Sequence, residues 1–386
     1  MSRCCGLFCS DDELQWHLAL KTHNYGDFSF AISQANSQFE DQGQVFNTPY
    51  ATFIGVYDGH GGPDASRFLN SRMFSNLHRF VTEDGGVSIE VIKKAFRASE
   101  EEFLQMVGRS WQSCPHFVSV GSCCLVGVIV EDMLYLGNLG DSRAVLGRNR
   151  IPGENEVVAE RLTSDHNVMD EEVRNEVINQ HPDDSRILVH IRGAWRIKGI
   201  IQVSRTIGDY YLKNPEFSRS PLYQQLFPSA TPFNRPVITS EPSVGRRRLR
   251  PHDLFVIFAS DGLWEQLSDE AAVKMVTRNP RAVSSCSPST GEIIRGYAVS
   301  GDISGSSGIA KRLVRAALNE AAKKRNMSYG SLKGTPKGER RQIHDDITVI
   351  VIYLDHHFTG ENFHCTNAPV DMFSHEPQDY GDGFFP

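Results

Sequence analysis

A chain of 386 residues has the length of one large or two medium domains, and a 40% hydrophobic share supplies enough apolar surface for a sizeable core. A formal net charge of -7 at pH 7 excludes a broad nucleic-acid footprint, which needs a basic domain. No apolar run approaches the ~20 residues of a membrane-spanning helix, and the stretch near Leu14 to Leu20 is too short, and too broken by His17, for a signal peptide.

Residues 1–27 are polar and dotted with cysteine, and read as a flexible lead-in. Cys4, Cys5 and Cys9 cluster there without a fourth ligand for zinc, and the eight cysteines show no framework of spacings. A reduced intracellular chain follows, cytoplasmic or nuclear. Acylation of the cluster, with peripheral membrane association, is the alternative to spare thiols; Ser2 excludes myristoylation.

From Phe28 the pattern alternates, with Phe28, Phe30 and Ile32 on one face of a half-buried strand. Glu40 and Asp41 follow as adjacent acids, either a solvated turn or part of a site. ATFIGVY (Ala51–Tyr57) reads as a buried strand that ends abruptly in Asp58, Gly59, His60, Gly61 and Gly62. Pro63 suits a first helical residue and Asp64 the positive helix end. Phe68, Leu69, Met73, Leu77 and Phe80 continue at helical spacing. A second helix carries Val91, Ile92, Ala95, Phe96, Phe103 and Leu104, with Ser88 as cap. The runs Ser122–Val130 and Met133–Gly140 form a hairpin through Glu131 and Asp132, then Asp141-Ser142-Arg143 follows. Asp170–Ile178 is an exposed helix, Ile197–Asp209 a strand-like run, and Lys213–Pro236 irregular surface chain. The run Arg246, Arg247, Arg248 and Arg250 reads as a solvated loop. LFVIFASDG (Leu254–Gly262) repeats the design of an apolar run ending in Asp-Gly. Leu263–Val276 is helical with Ser268 as cap, and the Ser- and Gly-rich stretch 281–308 is an inserted flexible loop. Leu313, Val314, Ala317, Leu318 and Ala321 mark one more helix. Asp345–Asp355 is an apolar strand opened by two acids, and 356–386 is a disordered tail. The fold class expected is α+β, helices outside stacked sheets, with one catalytic domain over 28–355.

Asp58, Asp261 and Asp345 each abut an apolar run. Singly, each is a turn aspartate. Together with Glu40 and Asp41 they form a cluster of like charges at strand ends, which cations make tolerable. An oxygen-only ligand set selects hard ions such as Mg²⁺ or Mn²⁺, and several carboxylates around two such ions suit phosphoryl chemistry.

Seven motifs in order now bear on family: Glu40-Asp41, VYDGHGG (Val56–Gly62), GDSRA (Gly140–Ala144), LTSDHN (Leu162–Asn167), VSRTIGD (Val203–Asp209), SDGLWE (Ser260–Glu265) and HDDITVIV (His344–Val351). The chain resembles the metal-dependent type 2C protein phosphatases, and their plant branch in the wording QANSQFEDQ and KRLVRAALNEAAKKR. The resemblance implies a central sandwich of two antiparallel sheets flanked by helices in four layers. It implies a monomer that hydrolyses phosphoserine and phosphothreonine on proteins, with a plasma-membrane proton pump as a substrate by analogy alone. Asp58 would bridge two Mg²⁺ or Mn²⁺ ions, the Gly59 carbonyl would bind one, and Asp261 and Asp345 would hold the other. Glu40 and Asp41 would act partly through water, and Asp141, Asp261 and Glu265 match a weaker third site. His60 would protonate the leaving alkoxide, with no phosphoenzyme formed. His166 reads as structural, and Arg205 and Asp209 as packing and flap support.

Two features depart from the family. Asn36 stands where an arginine usually holds substrate phosphate, and 281–308 looks inserted. Asn36 keeps open a different class of function, a pseudophosphatase that binds phosphoproteins without turnover. A nuclease-like metallohydrolase is disfavoured by the acidic charge.

Overall fold

The structure, a computed structural model, describes residues 15–151, 156–228, 231–279, 308–355 and 370–371. The chain opens with strands β1 (Gln15–His23), β2 (Gly26–Ser33), β3 (Gln42–Asn47), β4 (Ala51–Tyr57) and the two-residue β5 (Gly59–His60). Two long helices follow, α1 (Asp64–Asp84) and α2 (Ile89–Ser110), then strands β6 (Gly121–Ser122), β7 (Cys124–Val130), β8 (Met133–Leu139), β9 (Arg143–Asn149) and β10 (Val157–Arg161). The middle of the chain holds α3 (Glu171–Gln180), the hairpin β11 (Leu188–Ile191) and β12 (Ala194–Ile197), β13 (Ile207–Gly208), α4 (Tyr210–Lys213) and α5 (Pro221–Leu226). Strands β14 (Ser243–Arg248) and β15 (Asp253–Ala259) lead to α6 (Asp261–Trp264), α7 (Asp269–Arg278), α8 (Ile309–Lys324), α9 (Tyr329–Gly334), β16 (Ile347–Tyr353) and β17 (Val370–Asp371).

The larger strands make two six-stranded sheets, in the orders β1-β2-β16-β15-β9-β10 and β14-β8-β7-β4-β3-β17. Neighbours in both are antiparallel. The period of two decides the layering. On β4, Ile54 and Val56 face the opposite sheet, where they meet Phe28, Phe30, Val256, Phe258 and Ile350. Phe53 and Tyr57 face outward and pack with Leu69, Met73 and Leu77 of α1 and Ile92, Phe96 and Phe103 of α2. On β16, Ile350 and Ile352 point inward. Val349 and Val351 point outward against Leu313, Val314, Ala317 and Leu318 of α8. The result is the expected α+β fold with helices outside two packed sheets. Fully burying each such aliphatic or aromatic side chain contributes about 1.5–3 kcal/mol.

The expected caps form: Ser88 accepts from the Val91 amide, Ser268 from the Ala271 amide. The 263–276 segment is two helices, α6 and α7, separated at that Ser268 cap. Four expectations are corrected. The 213–236 stretch is not irregular surface chain, since it forms α5 and buries Phe217, Tyr223 and Phe233. β1 pairs with β2 from Gln15↔Ser33 to His23↔Gly26, so the second half of the 1–27 lead-in is an edge strand. Its mixed sequence QWHLALKTH suits an edge, and Leu20 is exposed. The Arg246–Arg248 run is strand β14 rather than loop; Arg247 turns inward to Glu160 and to Asp253, the latter at 3.1 Å. The 197–209 run is not one strand: the chain turns through Lys198 and Gly199, both at positive φ, and only Ile197, the last residue of β12, and Ile207–Gly208 lie in strands. The Cys4, Cys5 and Cys9 cluster, nearly all of the 281–308 loop and most of the 356–386 tail lie outside the described residues; within the tail, the Val370 and Asp371 backbone pairs with β3. Among the described residues no helix is long and apolar enough to cross a membrane.

Candidate metal centre

The site forms at one end of the sandwich, where β4, β15 and β16 begin or end in acids. Asp58 follows β4 directly, is 9% exposed, and accepts the Asp261 amide at 3.4 Å. Its own carbonyl is held by the Cys123 amide at 2.8 Å and the Ser122 hydroxyl at 3.2 Å. That places the end of β4 against the start of β7. Gly59 has no substitute here, since a Cβ would run into the Glu40 carbonyl and the Ser66 hydroxyl.

Asp261 opens α6, and its Oδ1 is buried with no hydrogen-bond partner. Asp141 accepts from Asn167 Nδ2 at 2.7 Å and from the Cys123 thiol at 3.3 Å. Ligand atoms of Asp58, Cys123 and Asp141 all lie within 4.8 Å of one another. Asp345 takes the Asp346 amide at 2.8 Å and Arg341 Nη2 at 2.8 Å. Asp41 is 1% exposed, and its Oδ2 has no partner. Glu40 is half-buried, accepts from Asn36 Nδ2 at 3.0 Å, and gives its carbonyl to Ser66. Glu265 stands exposed on the rim, its amide on the Asp261 carbonyl at 2.8 Å.

The carboxylates act on one another across one buried space. Burial, then Asp41, Asp345 and Asp141, push Asp58 well above the carboxylate range. Burial, then Asp58, Asp141 and Asp345, do the same to Asp261, and burial, then Asp346 and Asp345, to Asp41. Burial lifts Asp345 to about 7 against the pull of Arg341. Crowded carboxylates with bare buried oxygens are destabilising alone and are what a hard divalent cation satisfies. The donor set therefore fits metal. Cys123 borders these acids as a thiol that donates to Asp141 and that burial, then Asp141 and Asp58, push well above its ordinary value; the sequence reading missed it because it lies in a run that reads as core.

His60 is the second component. Its Nε2 sits 2.8 Å from Asp209 Oδ2, which also accepts from Thr206 Oγ1 at 2.7 Å. Burial alone would pull His60 down; the Asp209 carboxylate, then Glu40 and Asp141, hold it above the ordinary histidine value. Asp209 has φ 52, a strained conformation for this residue, and its amide is fixed by the Val120 carbonyl. Asp209 thus holds the Nε2 side of the His60 ring. Gly121 makes the approach possible, since a Cβ there would strike both groups. His166 is structural as expected: buried, bonded to Ser243 Oγ at 2.7 Å, and pulled to about 4 by burial and Arg205. Arg205 pairs with Glu176 of α3 at 2.8 Å.

An unnoticed residue assembles the loop. Asp346, 1% exposed, accepts the amides of Ala35 at 2.7 Å, Asn36 at 3.0 Å and Glu40 at 2.8 Å. It thereby brings Glu40 and Asp41 beside Asp345.

A family model described as protein phosphatase 2C matches residues 32–324, most of the chain. The chain belongs to the protein phosphatase 2C family. It is 58% identical over 371 residues to probable protein phosphatase 2C 78 of Oryza sativa subsp. japonica, covering 94% of this chain and 88% of that one. It is 53% identical over 382 residues to probable protein phosphatase 2C 63 of Arabidopsis thaliana, covering 97% and 94%. The crystal structure of serine-threonine phosphatase 2C from Toxoplasma gondii shares the fold, with a TM-score of 0.57 at 18% identity over 88% of this chain and 99% of that one. A protein phosphatase 2C is a metal-dependent enzyme, and the buried acidic group found here is where this member can hold its metal.

Proposed function

We propose that this chain is a protein serine/threonine phosphatase that hydrolyses phosphoserine and phosphothreonine on proteins, with its metal centre built on Asp58. The observation that carries this is the convergence of Asp58, Asp141, Asp261 and Asp345 on one buried space beside a His60–Asp209 pair. Asp58, with the Gly59 carbonyl, Asp261 and Asp345, would hold two Mg²⁺ or Mn²⁺ ions; Glu40 and Asp41 would support them, and Asp141, Asp261 and Glu265 would hold a weaker third. When bound, the cations supply charge neutralisation for the phosphoryl oxygens and a water acidic enough to attack near neutral pH. His60 supplies the proton for the departing serine or threonine oxygen. Its Nε2 is committed to Asp209, so the proton delivered comes from Nδ1. Asp209 keeps the ring oriented through that transfer. The described cysteines Cys114, Cys123 and Cys124 are free thiols, in keeping with a reducing compartment inside the cell.

The test is turnover of a phosphothreonine peptide with Mn²⁺, with and without chelator, against Asp58→Ala. Activity that needs metal and Asp58 is expected. Equal inactivity of both proteins under saturating Mn²⁺ would leave the binding-only reading, for which Asn36, its amide spent on Glu40, is the supporting feature.

A further inference from the structure

We propose that Arg341 binds the substrate's phosphoryl group at the mouth of the acidic centre, a role that rests on the phosphatase reading above. The backbone puts it there. The segment 338–346 is fastened along the loop 34–40: the Gly338 amide donates to the Ala35 carbonyl at 2.7 Å, Arg340 Nη1 to the Gln34 carbonyl at 3.2 Å, and Asp346 takes three amides of the same loop. Arg341 lies in the middle of that fastened segment.

Its side chain has the right exposure. Arg341 Nη2 meets Asp345 Oδ2 at 2.8 Å, yet the arginine side chain is 53% exposed and the aspartate 15%. The guanidinium therefore lies on the solvent side of a buried ligand carboxylate. It is close enough to interact with Asp345, Asp261, Asp58 and Glu265, and Glu40 also feels it. Asp345 is its one ion-pair partner among the described residues, so much of the donor fork remains available.

The other polar groups nearby are committed. Arg143 is bound to Asp165 at 2.5 Å and to Asp269 at 2.6 Å, Arg205 to Glu176, and Lys324 to the Glu265 carbonyl at 2.6 Å. Asn36 has given its amide to Glu40. A phosphoryl dianion entering among seven acids meets like charge on most sides. Arg341 is the guanidinium placed to receive it, with the planar fork that matches two phosphoryl oxygens.

The experiment compares Arg341→Ala, Arg341→Lys and the double variant Asn36→Arg/Arg341→Ala in the full chain, folding being checked by circular dichroism. Two quantities are read: KM and kcat on a phosphothreonine peptide, and the binding constant of inorganic phosphate to Mn²⁺-loaded protein by calorimetry. Arg341→Ala is expected to weaken phosphate by ~10–100-fold, as for a lost charged hydrogen bond, and to raise KM more than it lowers kcat. Arg341→Lys should recover part of the loss, and Asn36→Arg in the double variant should recover it by supplying a replacement fork. Phosphate affinity within twofold of wild type in Arg341→Ala overturns the proposal, as does a loss of Mn²⁺ binding with phosphate affinity unchanged, which would make Arg341 only the counter-ion of Asp345. The calorimetric reading does not require turnover. Failure of Arg341 in an active wild type is thereby distinct from failure of the phosphatase reading, which shows as an inactive wild type.

Discussion

Replacing Asp346 tests whether one carboxylate organises the loop that carries Glu40 and Asp41. It accepts three backbone amides, one from fully buried Ala35 and two from half-buried Asn36 and Glu40. Leaving a buried donor unpaired costs about 1–3 kcal/mol, with half-buried donors at the lower end, so Asp346→Ala should lose roughly 3–5 kcal/mol. Asp346→Asn keeps an acceptor for Ala35 and Asn36 but turns an NH₂ toward the Glu40 amide. That forfeits one bond and opposes two donors, for a loss of about 2 kcal/mol. A domain of this size unfolds with an entropy near ~0.6 kcal/mol/K, so the two variants should melt about 6 °C and about 3 °C below wild type. Urea unfolding with an unchanged m-value is the primary assay, and calorimetric Mn²⁺ affinity is the second, since Asp345 is the adjacent residue. If Asp346→Asn unfolds within about 0.5 kcal/mol of wild type, the accounting of these three bonds is wrong.

Three further outcomes follow from the geometry. His60→Ala should slow a phosphothreonine peptide by ~10²–10⁴-fold but a nitrophenyl phosphate far less, because a good leaving group needs no proton; equal losses would remove His60 from the acid role. For Asp269, burial pushes the carboxyl up, but Arg161 and Arg143 overcome this and hold it below the ordinary value of 3.8. A depressed carboxyl stabilises the fold above its unfolded pKa and loses that contribution as pH falls through the folded one, so Asp269→Asn should be less stable than wild type at ~pH 7, with the gap closing below ~pH 4. A gap in urea melts that stays constant to ~pH 3 would contradict that sign. Finally, Mn²⁺ at ~100 times its Kd should stabilise the fold by about 2.7 kcal/mol in thermal unfolding. Chelator should reverse the shift, and Asp58→Ala should lack it.

Much of the site was legible because its acids interrupt apolar runs. Asp58, Asp261 and Asp345 stand out against ATFIGVY, LFVIFA and ITVIVIY, and a buried strand gives no other reason for a charge at its end. The layering was legible for the same reason, since strands buried on both faces and amphipathic helices allow few arrangements. What escaped lies in contacts across long separations. Asp209 is 149 residues from His60, and nothing in TIGD marks it as the orienting partner. Asp346 looks like a second copy of Asp345, although one borders the buried acidic space and pairs with Arg341 while the other takes three amides. Cys123 hides in SCCLVGVIV, a run whose composition reads wholly as core. Strand β1 was lost to its polar residues, which an edge strand tolerates on its open face.

The fastening of 34–40 to 338–346 also dictates when activity can arise. Asp346 reaches Ala35, Asn36 and Glu40 across 311, 310 and 306 residues. A ribosome must release nearly the whole domain before this end of the sandwich can close. Until then Glu40, Asp41 and Asp58 are a set of repelling charges without Asp345 beside them or Asp346 to hold their loop, so early cation capture gains little. Contacts of such range are slow to form, because their chain entropy is lost before they return any energy. The catalytic pole should be the last part of the molecule to gain protection from hydrogen exchange, after the helix-covered faces, and proteolytic fragments lacking β16 should hold no metal, however well their remaining core is packed.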